Sequence, residues 1–91
     1  MDELIQIQLE KRNELQQRLK YLEQFYSIHE LQFQLDDETD IYTIFCYFDK
    51  LMMESYVKLD RSKDDFELDA KLILVEKLNN VINKYIEWKK Y

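Results

Sequence analysis

The chain has 91 residues, of which 46% are hydrophobic and 35% are charged, so it suffices for one small domain and is too apolar for a disordered chain. It contains no glycine, no proline and one cysteine, which excludes an intramolecular disulfide and any glycine-rich phosphate-binding loop. The net charge of −6 disfavours direct binding to nucleic acid or to an anionic membrane.

The first predicted element is a helix over residues 2–35. A coiled-coil-like seam along it consists of Leu15, Leu19, Leu22, Tyr26, His29 and Phe33. His29 is the only histidine, and we interpret it as a partly buried seam residue, since no second ligand stands nearby in the sequence. The beginning of this segment has charges inside its apolar run, which predicts no signal peptide. No apolar run approaches the ~20 residues of a membrane span, so a soluble cytoplasmic protein is expected.

Residues 31–48 read LQFQLDDETDIYTIFCYF and admit three interpretations: a β-hairpin, an acidic metal-binding loop, or a turn between two helices. IYTIFCYF has high strand propensity. Tight hairpin turns, however, favour residues that tolerate positive φ, chiefly glycine, and the chain has none. Apolar residues also recur at helical spacing well beyond Phe48. We therefore predict a second helix over residues 38–59, with Asp37 and Asp40 at capping-box spacing.

A third helix is predicted over residues 63–90, with Ser62 and Asp65 as a second capping box. Residues 60–71 resemble a calcium-binding loop only in part, because Asp65 stands where glycine is needed and Lys71 where glutamate is needed. No metal and no cofactor are therefore expected. The predicted fold is all-α: a bundle of three antiparallel helices in one domain spanning residues 1–91, forming a homodimer.

The second predicted helix carries more apolar surface than a small bundle needs. On a helical wheel, a second stripe beside the core stripe contains Tyr42, Cys46, Met53 and Val57. The first helix would also overhang the second by about ten residues, exposing Leu4, Ile5 and Leu9. Contiguous exposed apolar surface marks an interface. These residues predict a protein–protein interaction module, an adaptor, assembly or regulatory protein with itself among its partners.

Asp49 lies between the two apolar stripes of that wheel, where a buried carboxylate would need a partner. Two interpretations stay open. Asp49 either lies at the rim of the interface or pairs with a basic residue of an adjacent chain. Cys46 is interpreted as a small hydrophobic residue of the second stripe.

The acidic residues support an alternative function. Residues 1–35, 36–69 and 70–91 carry net charges of −2, −7 and +3, and the acidic middle contains Asp36, Asp37, Glu38, Asp40, Asp60, Asp64 and Asp65. The simplest interpretation is helix capping. The alternative is a small acidic inhibitor that mimics nucleic-acid phosphates and blocks a nucleic-acid-binding protein. In three antiparallel helices the two acidic clusters would lie at opposite ends, and no catalytic constellation is recognised, so an enzyme is not expected.

Overall fold

The computed structural model describes residues 3–90, which form two helices and one antiparallel sheet. The elements are α1 (Glu3–Tyr26), β1 (His29–Asp36), β2 (Ile41–Phe48), β3 (Leu51–Lys58) and α2 (Phe66–Lys89). The prediction of an all-α bundle of three helices, with its coiled-coil seam, is therefore wrong. Residues 29–58, assigned to the end of the first helix and to the second helix, form the sheet instead, with strand order β1–β2–β3.

The turns explain why the absence of glycine did not prevent hairpins. Asp49 and Lys50 connect β2 to β3 with φ of 53° and 66°, the left-handed conformation that a two-residue hairpin turn requires. Asp40 adopts φ 59° at the end of the β1–β2 turn, and Glu30 adopts φ 55° where the register of β1 is irregular. Aspartate tolerates this conformation better than most residues. The prediction failed because it treated glycine as the only residue that could fill these positions.

The carboxylates predicted to cap the second helix belong to the β1–β2 turn. Oδ1 of Asp36 accepts a hydrogen bond from the backbone N–H of Glu38 at 3.0 Å, and the N–H of Asp40 donates to the carbonyl of Asp36 at 2.8 Å. Asp side chains stabilise turns by such local bonds. No helix follows, so the capping box of Asp37 and Asp40 is not formed.

β2 is the central strand, and its alternate side chains face the helices. Tyr42, Ile44 and Cys46 point inward and are buried. Across the sheet, Ile44 lies opposite Phe33 of β1, and Cys46 lies opposite Met53 of β3. Together with residues of both helices these inward side chains form one hydrophobic core on a single face of the sheet.

α2 supplies most of the helical part of this core. Its buried residues are Ala70, Leu74, Val75, Leu78 and Ile82. The spacing is that of an amphipathic helix, and α2 packs against β2, β3 and α1. α2 begins at Phe66 with Asp65 at the N-cap position, but no side chain of the predicted capping box bonds to the backbone there. The hydroxyl of Ser62 donates a hydrogen bond to Asp60, and the carboxylate of Asp65 accepts one from Gln8 at 2.7 Å.

α1 lies beside α2 and runs in the same direction. Nε2 of Gln8 donates to Asp65, and the hydroxyl of Tyr26 donates to Asn83 at 2.7 Å, so both contacts join residues 57 positions apart. Only parallel helices maintain a constant offset. α1 ends at Tyr26 because Ser27 adopts φ 50°, which leaves the helical conformation. His29 therefore lies outside the helix, exposed at the start of β1. Neither helix in residues 3–90 combines the length and apolar character needed to cross a bilayer.

Candidate protein-binding surface

The face of the sheet that the helices leave uncovered is here called the outer face. It carries every second residue of each strand: Gln32, Gln34 and Asp36 of β1, Ile41, Thr43, Phe45 and Tyr47 of β2, and Met52, Glu54, Tyr56 and Lys58 of β3. Successive side chains of a strand point to opposite faces, so these residues lie opposite the core.

Large apolar and aromatic side chains occupy the middle of the outer face. Ile41, Tyr47, Met52 and Tyr56 are 37%, 41%, 53% and 66% exposed, and Phe45 is half-buried. Cross-strand pairs join Tyr47 to Met52 and Phe45 to Glu54. A shallow depression of about 450 Å³ follows this face, with Phe45, Ile41 and Met52 among its lining residues. A contiguous exposed apolar patch of this kind marks an interaction site more often than an inert surface.

Acidic residues outnumber basic ones on the outer face and in the β1–β2 turn at one end of it. Asp36 and Glu54 lie on the outer face, and Asp37 and Glu38 follow in the adjoining turn. Lys58 is the basic residue on the same face. A partner that covers this surface would therefore be favoured if it were basic around its apolar contact.

The two acidic clusters meet at one end of the molecule. The β1–β2 turn and the β3–α2 connection are neighbours because the N–H of Leu59 donates to the carbonyl of Asp40 at 2.8 Å. Nε of Arg61 also donates to Oδ1 of Asp40 at 2.9 Å. The side-chain hydrogen bond from Arg61 lowers the pKa of Asp40 below its usual value. The predicted separation of the clusters to opposite ends is therefore wrong, since it depended on the three-helix arrangement.

The acidic end is partly neutralised by bases of its own. Nζ of Lys11 lies 2.8 Å from Oδ1 of Asp69 and 3.6 Å from Oδ2 of Asp65, and Arg61 pairs with Asp40. Other carboxylates of the predicted patch stand in the two adjoining loops: Asp36, Asp37, Glu38, Asp60 and Asp64. In residues 3–90, no group of three or more histidine, cysteine, aspartate or glutamate side chains is arranged to hold a metal ion.

Asp49 pairs within its own chain. Its Oδ2 accepts hydrogen bonds from the hydroxyl of Tyr85, at 2.8 Å, and from Nζ of Lys89. The bonds from Lys89 and Tyr85 lower the pKa of Asp49 below its ordinary value. This contact attaches the β2–β3 turn to the last turns of α2, an arrangement that neither interpretation of Asp49 from the sequence included.

The predicted second stripe does not lie on the surface. Tyr42, Cys46 and Met53 are buried in the core, and Val57 packs against it. Burial raises the pKa of the Cys46 thiol. The stripe was predicted from a helical wheel, but these residues belong to β2 and β3. Their side chains all lie on the face of the sheet that packs against the helices. The predicted overhang residues Leu4, Ile5 and Leu9 are exposed on α1.

The outer-face residues were missed because their strands were interpreted as a helix. The signal for strands was the high strand propensity of residues 41–48, and a strand there places Ile41, Phe45 and Tyr47 together on one face. Comparison with known protein families, curated proteins and solved structures gives no match to this chain.

Proposed function

We propose that this protein is a protein-binding module that uses the outer face of its sheet, and that the partner is basic around an apolar contact. The observation that carries the proposal is the group of exposed apolar side chains on that face, of which Tyr47, Met52 and Tyr56 are the most exposed. Tyrosine is among the residues that supply most binding energy at protein interfaces. Glu54 on the same face and the acidic β1–β2 turn at its end favour a partner of opposite charge.

The same side chains could serve as a stacking platform for bases, so the charge of the surface matters. Proteins that bind single strands combine aromatic side chains with a positively charged groove. Here Asp36 and Glu54 share the face with Lys58, and the chain carries a net charge of −6. Phosphates would be repelled, which supports a protein partner over a nucleic acid.

The test is affinity capture with matched tyrosine variants, from an extract of the organism that encodes the chain. Tyr47→Ala and Tyr56→Ala remove outer-face side chains, and Tyr21→Ala removes a comparably exposed tyrosine from α1. We expect wild type and Tyr21→Ala to retain a specific protein that the other two variants lose. The dissociation constant for that protein should rise roughly 30-fold, the loss typical of an interface hot spot.

All three tyrosine variants should keep the wild-type fold by circular dichroism, since the substituted side chains lie outside the core. If no captured protein distinguishes Tyr47→Ala from Tyr21→Ala, the outer face is not the binding surface and the proposal fails.

A second candidate function is a small acidic inhibitor that occupies the nucleic-acid site of a basic protein. It is favoured by the meeting of the two acidic clusters at one end, where Asp40 and Arg61 join their loops. It would use carboxylates in place of phosphates, so its affinity would depend steeply on salt.

Neutralising two turn carboxylates tests this second candidate. Asp37→Asn with Glu38→Gln reduces the acidic end without removing Asp36, whose side chain holds the turn. Glu23→Gln with Glu87→Gln makes the same charge change elsewhere. The inhibitor hypothesis expects only the first pair to weaken binding and reduce its salt dependence, and expects nucleic acid to displace the chain. Equal effects of both pairs would contradict it.

A further inference from the structure

The two helices are staggered by about the same length at both ends. Because residue i of α1 lies level with residue i + 57 of α2, the start of α2 at Phe66 is level with Leu9, and the end of α1 at Tyr26 is level with Asn83. Residues 3–8 of α1 therefore project beyond the start of α2, and residues 84–89 of α2 project beyond the end of α1. Each projection is about 9 Å long at ~1.5 Å per residue.

A cavity of about 500 Å³ lies beside the C-terminal projection of α2, and it is here called the notch. Its lining consists of Tyr26, Ser27, Phe48, Asp49, Tyr85, Ile86, Lys89 and Lys90. Rings of Tyr26 and Phe48 meet edge to face with centroids 6.2 Å apart, and those of Phe48 and Tyr85 do so at 6.0 Å. The notch thus combines an aromatic wall with two lysines, at the point where α1 has ended but α2 continues.

The N-terminal projection of α1 has the complementary character. Leu4 and Ile7 are 43% and 45% exposed. Leu4 stands on the same side of α1 as Leu22, since 18 residues make five full turns, and Leu22 is buried against the core. On this side of α1, Gln8 and Lys11 contact Asp65 and Asp69 where α2 begins. The turn that precedes them carries the apolar Leu4 and Ile7.

We infer that the projecting turn of α1 from one copy docks into the notch of a second copy, so that copies associate head to tail. In this arrangement the second α1 continues the line of the first and lies beside residues 84–89 of α2, where Leu4 and Ile7 contact the aromatic wall. The contact joins two different surfaces, so it is heterologous and repeats from copy to copy.

Charge and backbone dipoles favour the same arrangement. The charged residues that line the notch are Lys89, Lys90 and Asp49, and because Asp49 pairs with Lys89 the notch keeps the positive charge of Lys90. The projecting turn begins with Glu3 and lies at the acidic end of the molecule. The end of one α1 would also face the start of the next, which brings opposite partial charges of the helix dipoles together. This inference goes beyond the proposed function, because it uses neither the outer face nor its partner.

The first test is the mass of the purified chain in solution. Sedimentation velocity should show an average mass that rises with concentration over the micromolar to millimolar range and falls when salt is added. Leu4→Asn should weaken association by roughly tenfold or more, because it replaces an apolar side chain against the aromatic wall with a neutral polar one. Leu9→Asn is the matched control, since Leu9 is similarly exposed on another side of α1 and the variant should associate as wild type does.

Mixing two variants tests the head-to-tail geometry. Leu4→Asn weakens the projecting turn and leaves the notch intact. Ile86→Glu or Lys90→Glu weakens the notch and leaves the turn intact, and Lys90 is exposed, so its replacement spares the core. At a concentration where wild type has begun to associate, each variant alone should be mainly monomeric. Mixed in equal amounts, they should form a dimer that grows no further. A wild type that stays monomeric at millimolar concentration, or two variants that fail to combine, would overturn the inference.

Trp88 supplies a separate readout, since it is the only tryptophan, is 71% exposed, and its ring centroid is 6.1 Å from that of Tyr85 in the notch. Association should shield it, shifting its emission to shorter wavelength and reducing quenching by acrylamide. Tyr47→Ala should leave this signal and the mass unchanged. Failure of the outer-face proposal and failure of self-association are therefore distinguishable.

Discussion

The two faces of β2 differ in their surroundings more than in their composition. Ile41 and Ile44 are the same residue type on the same strand, three positions apart, yet Ile44 is fully buried and Ile41 is 37% exposed. Continuous apolar strands are typical of sheets covered on both faces. Here the helices cover one face, and the exposed apolar residues of the other support the proposal that a partner protein covers it.

The largest expected effect comes from truncating these two isoleucines separately. Ile44→Ala should lower the free energy of unfolding by about 3 kcal/mol, because it removes apolar contacts and leaves a cavity in the core. Ile41→Ala loses the same strand propensity but little buried surface, so it should cost less than about 1 kcal/mol. Urea unfolding of both variants measures the difference. Equal losses would show that the outer face contributes to stability as the core does.

The turn that joins β2 to β3 determines which residues face the core, because a slip of one residue would exchange the two faces. Lys50 adopts φ 66°, a left-handed conformation that is unfavourable for residues other than glycine. Lys50→Gly should therefore raise the free energy of unfolding by about 0.5–1 kcal/mol, since relief of the unfavourable conformation exceeds the entropy that glycine loses on folding. Thermal unfolding measures the gain. Glu54→Gly, within the extended strand, should lower stability, and a gain there would contradict the explanation.

The smallest effect concerns the contact between this turn and α2. The pKa of Asp49 is lowered in the folded chain by Lys89 and Tyr85, so its stabilising contribution is present above the pKa of the unfolded state, near 4. It is lost as the pH falls through the lower folded-state value. Asp49→Asn should therefore reduce stability at pH 7 and lose its effect in strong acid.

A double-mutant cycle isolates that contact. Asp49→Asn and Lys89→Met should each reduce stability slightly at pH 7, and the double variant should lose less than the two effects added, because both remove one interaction. The measurement is the midpoint of thermal unfolding at pH 7 and in acid. Additive losses at pH 7 would show that the ion pair of Asp49 and Lys89 does not hold the turn on α2.

Both helices lie within ranges that helical periodicity predicted, residues 2–35 and 63–90. The middle of the chain was predicted to be a helix and forms strands instead. In α2, the buried residues Ala70, Leu74, Val75, Leu78 and Ile82 follow spacings of four, one, three and four, which fit one face of a helix and do not alternate as in a strand. In residues 41–48, seven of eight residues are apolar, so a period of two and a period of 3.6 fit equally well. The periodicity of a dense apolar run therefore does not distinguish a helix from a strand. The choice depended on which residues can form the connecting turns.

The candidate surface was beyond prediction for the same reason. Once a helix was assumed, Tyr42, Cys46 and Met53 formed a surface stripe, although they belong to the core. The association of the protein through exposed apolar residues remains a prediction, now attached to other residues. Leu4, Ile5 and Leu9 are exposed, but their overhang was predicted against a helix over residues 38–59 that does not form, and Leu9 lies level with the start of α2.

By itself the sequence determined the charge distribution and indicated helix near both ends of the chain, within residues 2–35 and 63–90, because composition and periodicity depend on local residues alone. Only the tertiary structure decided the sheet, the meeting of the acidic loops and the pairing of Asp49 with Lys89. The sheet depends on two aspartates and a lysine that adopt left-handed conformations in its turns. Strand pairing and the buried core compensate the free-energy cost of those conformations. That compensation comes from residues distant in sequence, which no local pattern records.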